Sequence, residues 1–242
     1  MAYLYNAILY QPLLNALIFF YNTVAGHDLG LSIIFLTILI RLILFPLFHK
    51  SAHHQVKMQR LQPHVKKIQE LHKDDREKQT KALMDLHKEH GINPLSGFLL
   101  ILIQLPILIT LYQIVLRSLK PGTITGLYSF IAVPDKIYPT FLGLINLSQR
   151  SILIVCLAAL AQYLQAKLSI ASLPKGKDLS QAEKMQRQMV FLGPVLTITL
   201  FFNFPAAIGL YWCVTSLFSA AQQLIVNKQL SQWNPSIKSQ KE

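Results

Sequence analysis

One charged side chain inside an otherwise apolar run constrains this 242-residue chain more than any other feature. The run occupies 29–47 (LGLSIIFLTILIRLILFPL) and contains Arg41. At about 1.5 Å of helical rise per residue, it nearly crosses a hydrocarbon core of roughly 30 Å. A charge at that depth costs about 2.5–3.5 kcal/mol on insertion scales. The chain must therefore offer Arg41 a partner, water, or a route to the headgroups.

The composition agrees with a membrane as solvent. Mean hydropathy is +0.38 and 14% of residues are charged, against about a quarter in soluble domains. Further apolar runs at 98–116, 151–168, 189–204 and 205–226 give an expected all-α polytopic membrane protein with five spans. The fourth run is short and holds Pro194. Residues 1–22 are apolar and aromatic but are interrupted by Pro12, Asn6, Gln11 and Asn15. They read as an interfacial helix with its tyrosines at headgroup level, followed by a turn through residue 28; a sixth span is the alternative. No basic n-region or small-residue cleavage site precedes this segment, so no cleavable signal is expected. Cys156 and Cys213 lie in apolar runs and read as small core residues.

Residues 48–97 form the long polar segment. Leu61, Val65, Ile68 and His72 make one row at helical spacing, and Leu83 and Leu86 make a weaker second. Lys73, Asp74 and Asp75 form a turn between them, and Pro63 starts or kinks the first arm. The expectation is a mobile antiparallel helical hairpin with a thin apolar seam. Its histidines include His49 and His53 at i, i+4, but no Cys or carboxylate is placed to complete a metal site. No metal and no cofactor are expected. The loop 117–150 is placed on one side of the membrane. The hairpin, the loop 169–188 and the tail 227–242 are placed on the other. Lys and Arg divide eighteen to four in favour of the hairpin side. The positive-inside rule then puts the hairpin and C-terminus in the cytoplasm and the N-terminus outside.

Polar residues within the runs collect at one depth. Arg41 lies six residues from the cytoplasmic end of its run, Gln104 six from the start of the next, and Gln162 and Gln165 six and three from the end of the third. In the fifth run Thr215, Ser219 and Gln222 form one helical row, and Trp212, Ser216, Ser219 and Gln223 an adjoining one. Thr37 shares a face with Arg41 one turn away. Singly, Arg41 could snorkel to the headgroups and the amides could be interhelical glue. Their common depth on four helices points to a hydrated cavity open to the cytoplasm and closed outward by apolar side chains. No carboxylate lies in any of the five runs, so the guanidinium is free to receive an acid from a client.

In order and spacing, the chain resembles the YidC-type membrane insertase family. The residues that carry the likeness are Arg41 with Pro46; Leu61-Gln62-Pro63; Asn93-Pro94-Leu95 with Gly97; Gln104-Leu105-Pro106 with Tyr112; Phe204-Pro205-Ala206-Ala207; Leu210-Tyr211-Trp212; and Gln222-Gln223. Leu100 stands where many members carry Pro. The resemblance implies a monomeric insertase and chaperone of the bacterial cell membrane, without ATP of its own. It implies a hydrophilic groove holding Arg41, with Gln165 and Trp212 in it and Gln104 and Pro106 on the wall that nascent membrane proteins pass. It also implies a client-recruiting hairpin around Leu61, Gln62, Pro63, Lys66 and Lys67. The partners it implies are the lipid bilayer, the Sec translocon, the signal recognition particle pathway and the ribosome. A small-solute transporter or channel is the competing reading, which would call for an outward path and internal repeats. An intramembrane enzyme is disfavoured, because the runs hold no Ser/His pair, carboxylate pair or metal motif.

Overall fold

Helix starts in this chain are written in short polar caps. Asp28 accepts a hydrogen bond from the Leu31 amide at 2.8 Å, Asp75 from Lys78 at 3.0 Å, and Ser151 from Ile154 at 3.4 Å. Each satisfies an amide that the first helical turn leaves open. The structure is a computed structural model that describes residues 2–93, 95–118, 124–170 and 181–233. The helices are α1 (Ala2–Tyr5), a π-helical turn (Asn6–Tyr10), α2 (Gln11–Asn22), α3 (Leu29–Ile43), α4 (Phe45–Arg60), α5 (Gln62–Leu71), α6 (Arg76–Glu89), α7 (Ser96–Ser118), α8 (Ile152–Ser169), α9 (Gln181–Phe201) and α10 (Ala206–Gln229). A two-stranded antiparallel hairpin, β1 (Thr140–Phe141) and β2 (Ile145–Asn146), interrupts the segment between α7 and α8. Part of the loop 169–188, its residues 171–180, lies outside the described residues, as does the tail from 234 to 242.

Helices α7, α8 and α10 are each long and apolar enough to cross a membrane. Together α3 and α4 meet the same test as a pair bent by 68°, and Val190–Phe201 within α9 is a shorter apolar stretch. The fold is thus helical with three to four candidate spans. The apolar run 29–47 is therefore not one straight helix. The bend falls at Leu44 (φ −87°, ψ 2°), with Pro46 in the first turn of α4. Proline has no N–H to continue the ladder of α3, and its ring crowds the preceding turn. α4 then runs to Arg60 as a separate helix ahead of the hairpin arms α5 and α6.

The main core gathers Leu14, Leu17, Ile18 and Tyr21 of α2, Leu29, Ile33 and Leu36 of α3, and Ile107, Leu111 and Ile114 of α7, with Ile154, Leu210 and Tyr211. The N-terminal helix, expected along a membrane surface, is packed into this core on one face. Its polar residues hold the segment before α8. The Asn15 amide donates to the Gly126 carbonyl at 3.3 Å and its oxygen accepts from the Tyr128 amide at 2.7 Å. Asn22 donates to the Ala132 carbonyl at 2.8 Å. Tyr21 donates to the Lys136 carbonyl at 3.3 Å and accepts from the Tyr138 amide at 2.9 Å. Tyr5 donates to Gln113 at 3.0 Å, Tyr10 and Tyr21 are buried, and Tyr3 alone of the four tyrosines is 82% exposed. Pro12 is accommodated because it follows the π-helical turn as a first-turn residue of α2. On the same side of the molecule, Ala206 and Ala207 amides donate to the Gln149 and Leu147 carbonyls at 2.8 and 3.1 Å. Backbone therefore caps α10 where no side chain does.

Candidate functional site: a polar cavity at Arg41

The last turn of α3 presents Arg41, and α10 receives it. Nη2 donates to the Thr215 carbonyl at 3.3 Å and to the Ser219 hydroxyl one turn later. The bend at Leu44 swings α4 back so that the Phe48 ring stacks on the guanidinium at 4.1 Å, and the Phe218 ring lies at 5.4 Å. Such cation–π contacts partly replace water around the charge. Arg41 is only 3% exposed. Its Nε and Nη1 have no hydrogen-bond partner among the described residues, although guanidinium carries five donor hydrogens. No acid lies in α3, α7, α8 or α10.

Arg41 borders a cavity of about 210 Å³. Its walls are Phe48, Ala52 and Gln55 of α4, Leu100, Ile101 and Gln104 of α7, Gln162, Gln165 and Ser169 of α8, and Trp212, Thr215, Ser219, Gln222 and Gln223 of α10. The polar walls are oriented by bonds to one another. Gln104 donates to the Tyr211 hydroxyl at 2.6 Å. Gln162 Oε1 accepts from Thr197 of α9 and lies 3.5 Å from Trp212 Nε1. Gln222 donates to the Phe45 carbonyl at 3.2 Å, fastening α10 to the bend. Asn227 donates to the Leu168 carbonyl and accepts from Gln223, each at 2.9 Å. Tyr211 is buried and belongs to the main apolar core, so apolar packing continues beyond the cavity on that side.

Among the residues singled out from sequence, Arg41, Gln104, Gln162, Gln165, Trp212, Ser219 and Gln222 border this one cavity. Thr37, Pro106 and Ser216 do not. Thr37 is buried and its hydroxyl donates to the Ile33 carbonyl at 2.6 Å. Pro106 is on an exposed face of α7, and Ser216 is buried on α10 outside the lining. Sequence reasoning missed Phe48, Ala52 and Gln55, because a straight run carries α4 away from Arg41. The Pro46 that creates the bend was the available signal. Phe218, three residues beyond Thr215, was missed because an aromatic in a span reads as core or lipid contact.

In the hairpin, Leu61 is fully buried with Leu86 and Ile92, and Val65, Ile68 and Met58 pack beside them. Gln62 and Pro63 open α5, and Lys66 Nζ lies 3.8 Å from Glu70, with both side chains exposed. Such a pair contributes about 0–1 kcal/mol. Lys67 is exposed. Trp233 packs against the hairpin base, where Arg60 donates to its carbonyl and Lys57 Nζ lies 5.4 Å from its ring. No group of three or more His, Cys, Asp or Glu side chains that could hold a metal occurs among the described residues.

A bent, proline-marked candidate span, acid-free helices α3, α7, α8 and α10, and a buried arginine facing polar side chains from four helices narrow the possibilities sharply. Residues 19–233 match the family described as 60Kd inner membrane protein. The chain belongs to that family. It is 31% identical over 227 residues to a protein of Geobacter metallireducens named membrane protein insertase YidC, a match covering 93% of this chain and 38% of that one. It is 37% identical over 201 residues to a protein of the same name from Francisella tularensis subsp. novicida, covering 82% of this chain and 32% of that one. A third relative so named, from Geotalea daltonii, is 32% identical over 222 residues, covering 91% and 37%. The chain thus spans well under half the length of the curated relatives it matches.

Proposed function

We propose that this chain is a membrane protein insertase that receives short hydrophilic segments of new membrane proteins in the cavity at Arg41. The observation that carries the reading is a guanidinium 3% exposed, bordering that cavity, with Nε and Nη1 lacking acceptors among the described residues. A carboxylate on a passing client can supply those acceptors, and a charge-assisted pair is strongest where water is scarce. The names of the family's curated relatives support the same activity.

In this reading the cavity is hydrated and opens toward the hairpin side. The spans are the five runs, the hairpin and C-terminus face the cytoplasm, and the N-terminus lies outside; the Lys and Arg distribution supports this orientation. The apolar stretch Val190–Phe201 is about 18 Å long at helical rise, which favours locally thinned bilayer around the site. A client's polar segment then crosses a shorter barrier, and its apolar flank leaves into lipid along α7, α9 or α10, driven by burial of apolar surface. Gln104, Gln162 and Trp212 orient the segment, and Pro106 faces it from the lipid side. The hairpin recruits clients. Sec translocon, signal recognition particle and ribosome are its proposed partners, and the working form is a monomer.

The test is insertion of single-span clients with acidic outer tails, in cells lacking other insertases. Arg41→Ala is expected to abolish most insertion and Arg41→Lys to retain part of it, since Lys keeps charge but loses the fork. Unchanged insertion with Arg41→Ala would remove Arg41 from the mechanism.

A further inference from the structure

α4 and the chain entering α7 line a second cavity, of about 350 Å³, which meets the one at Arg41 only at Leu100. α4 turns Leu47, Lys50, Ser51 and His54 toward it, at i, i+3, i+4 and i+7. The opposite wall is Leu95, Phe98, Leu99 and Leu102, at the same spacing. The two faces are joined at a polar seam, where Ser51 Oγ donates to the Ser96 carbonyl at 2.9 Å. Beside that seam the apolar side chains stand apart. Leu95, Phe98, Leu99 and Leu102 are 68%, 60%, 45% and 52% exposed. A void of this size falls within the roughly 300–1,000 Å³ of small-molecule sites.

The charge on the two segments that line it has one sign. No Asp or Glu occurs between Asp28 and Glu70, or between Glu89 and Asp135, and both walls lie inside these acid-free intervals. Lys50 stands in the lining, and Lys57 and Arg60 follow on the same helix. The cavity also sits where apolar α7 begins and the basic hairpin ends, which is the level at which acyl chains give way to headgroups. An apolar slot with a lysine in its wall at that level fits one kind of occupant.

We propose that this cleft binds an anionic diacyl phospholipid, with an acyl chain between Leu47 and the leucines of α7 and the phosphate against Lys50. His54 lines the cleft one turn from Lys50 and offers the headgroup a ring nitrogen. The bound lipid wedges α4 against α7 and so holds the bend that places Phe48 on Arg41.

The experiment is native mass spectrometry of the full chain in mild detergent, with phosphatidylglycerol or phosphatidylcholine of matched acyl chains added singly. One phosphatidylglycerol is expected to be retained with a Kd about fivefold lower than phosphatidylcholine, the effect of about one lysine near an anionic headgroup. Lys50→Gln should erase that preference. Leu99→Trp, which fills the slot, should remove tight retention of both lipids. If that variant fails to fold by circular dichroism, Lys50→Gln alone decides. Equal retention of the two lipids by the unaltered chain would overturn the proposal, as would a preference that survives Lys50→Gln. So would a photoreactive residue at position 102 that crosslinks to a client peptide and not to lipid.

Discussion

Gly30 occupies a position that no larger residue fits. A Cβ there would come 2.3 Å from Cδ2 and 2.6 Å from Cβ of Phe141, so the β-hairpin would have to move off the start of α3. Gly30→Ala is expected to destabilise by about 1–3 kcal/mol, the range for overpacking, and Phe141→Ala should restore part of the loss in a thermal melt. The tip of the same hairpin shows the opposite case. Leu142 has φ 52°, a left-handed conformation that a leucine adopts at a cost of about 1–2 kcal/mol. Leu142→Gly should therefore raise the melting temperature, even though it removes an exposed apolar side chain. At Gly209 a Cβ would lie 2.9 Å from Ile154 Cγ2. The glycine permits the close approach of α8 to α10 that carries Gln162 and Trp212 to one cavity.

At the scale of elements, the kink between α3 and α4 sets where aromatic cover reaches the guanidinium. Pro46→Ala restores an N–H to the ladder, so the 68° angle is expected to open. Spin labels on the two arms should move apart, and Arg41 should lose its contact with Phe48. The hairpin buries most at its base, and its arms are joined further out by Gln79, which donates to the Gln69 carbonyl at 3.2 Å. Leu61, Leu86 and Ile92 are buried there beside Trp233, whereas Lys66, Lys67 and Glu70 are solvated. Trp233→Ala should speed amide hydrogen exchange in α5 and α6 while leaving the rates in α8 unchanged. His64 sits near that base, and its imidazole is held below the ordinary range by burial, then by Lys67 and His90. A lowered folded-state pKa means stability that is present above the unfolded value of about 6.5 and lost as pH falls through the folded one. Acidification from about pH 7.5 to 5 should thus loosen the base, measured by the same exchange, and His64→Gln should blunt the effect.

For the whole molecule, the segregation of charge was legible before any fold. Lys and Arg lie in a few polar segments, and the apolar runs are long enough to cross a bilayer; both follow from composition along one dimension. The convergence of Arg41, Gln104, Gln162, Gln165, Ser219 and Gln222 on a single cavity was also within reach, because depth in a bilayer is counted from the ends of a helix at fixed rise. Which face of each helix turns inward is not so counted. Thr37 and Pro106 share the region yet stay out of the cavity, since rotation about a helix axis depends on its neighbours. The folding of residues 2–22 onto the core through Asn15, Tyr21 and Asn22 depends on partners more than a hundred residues away, and so does the seat of Trp233. The sequence by itself determined an apolar, positively biased, helical membrane chain with an arginine at a set depth in an apolar run, because hydropathy and rise are properties of single residues and single helices. Only the tertiary structure decided what surrounds that cation, because the 68° turn at Leu44 and the approach of α10 are settled by packing between elements.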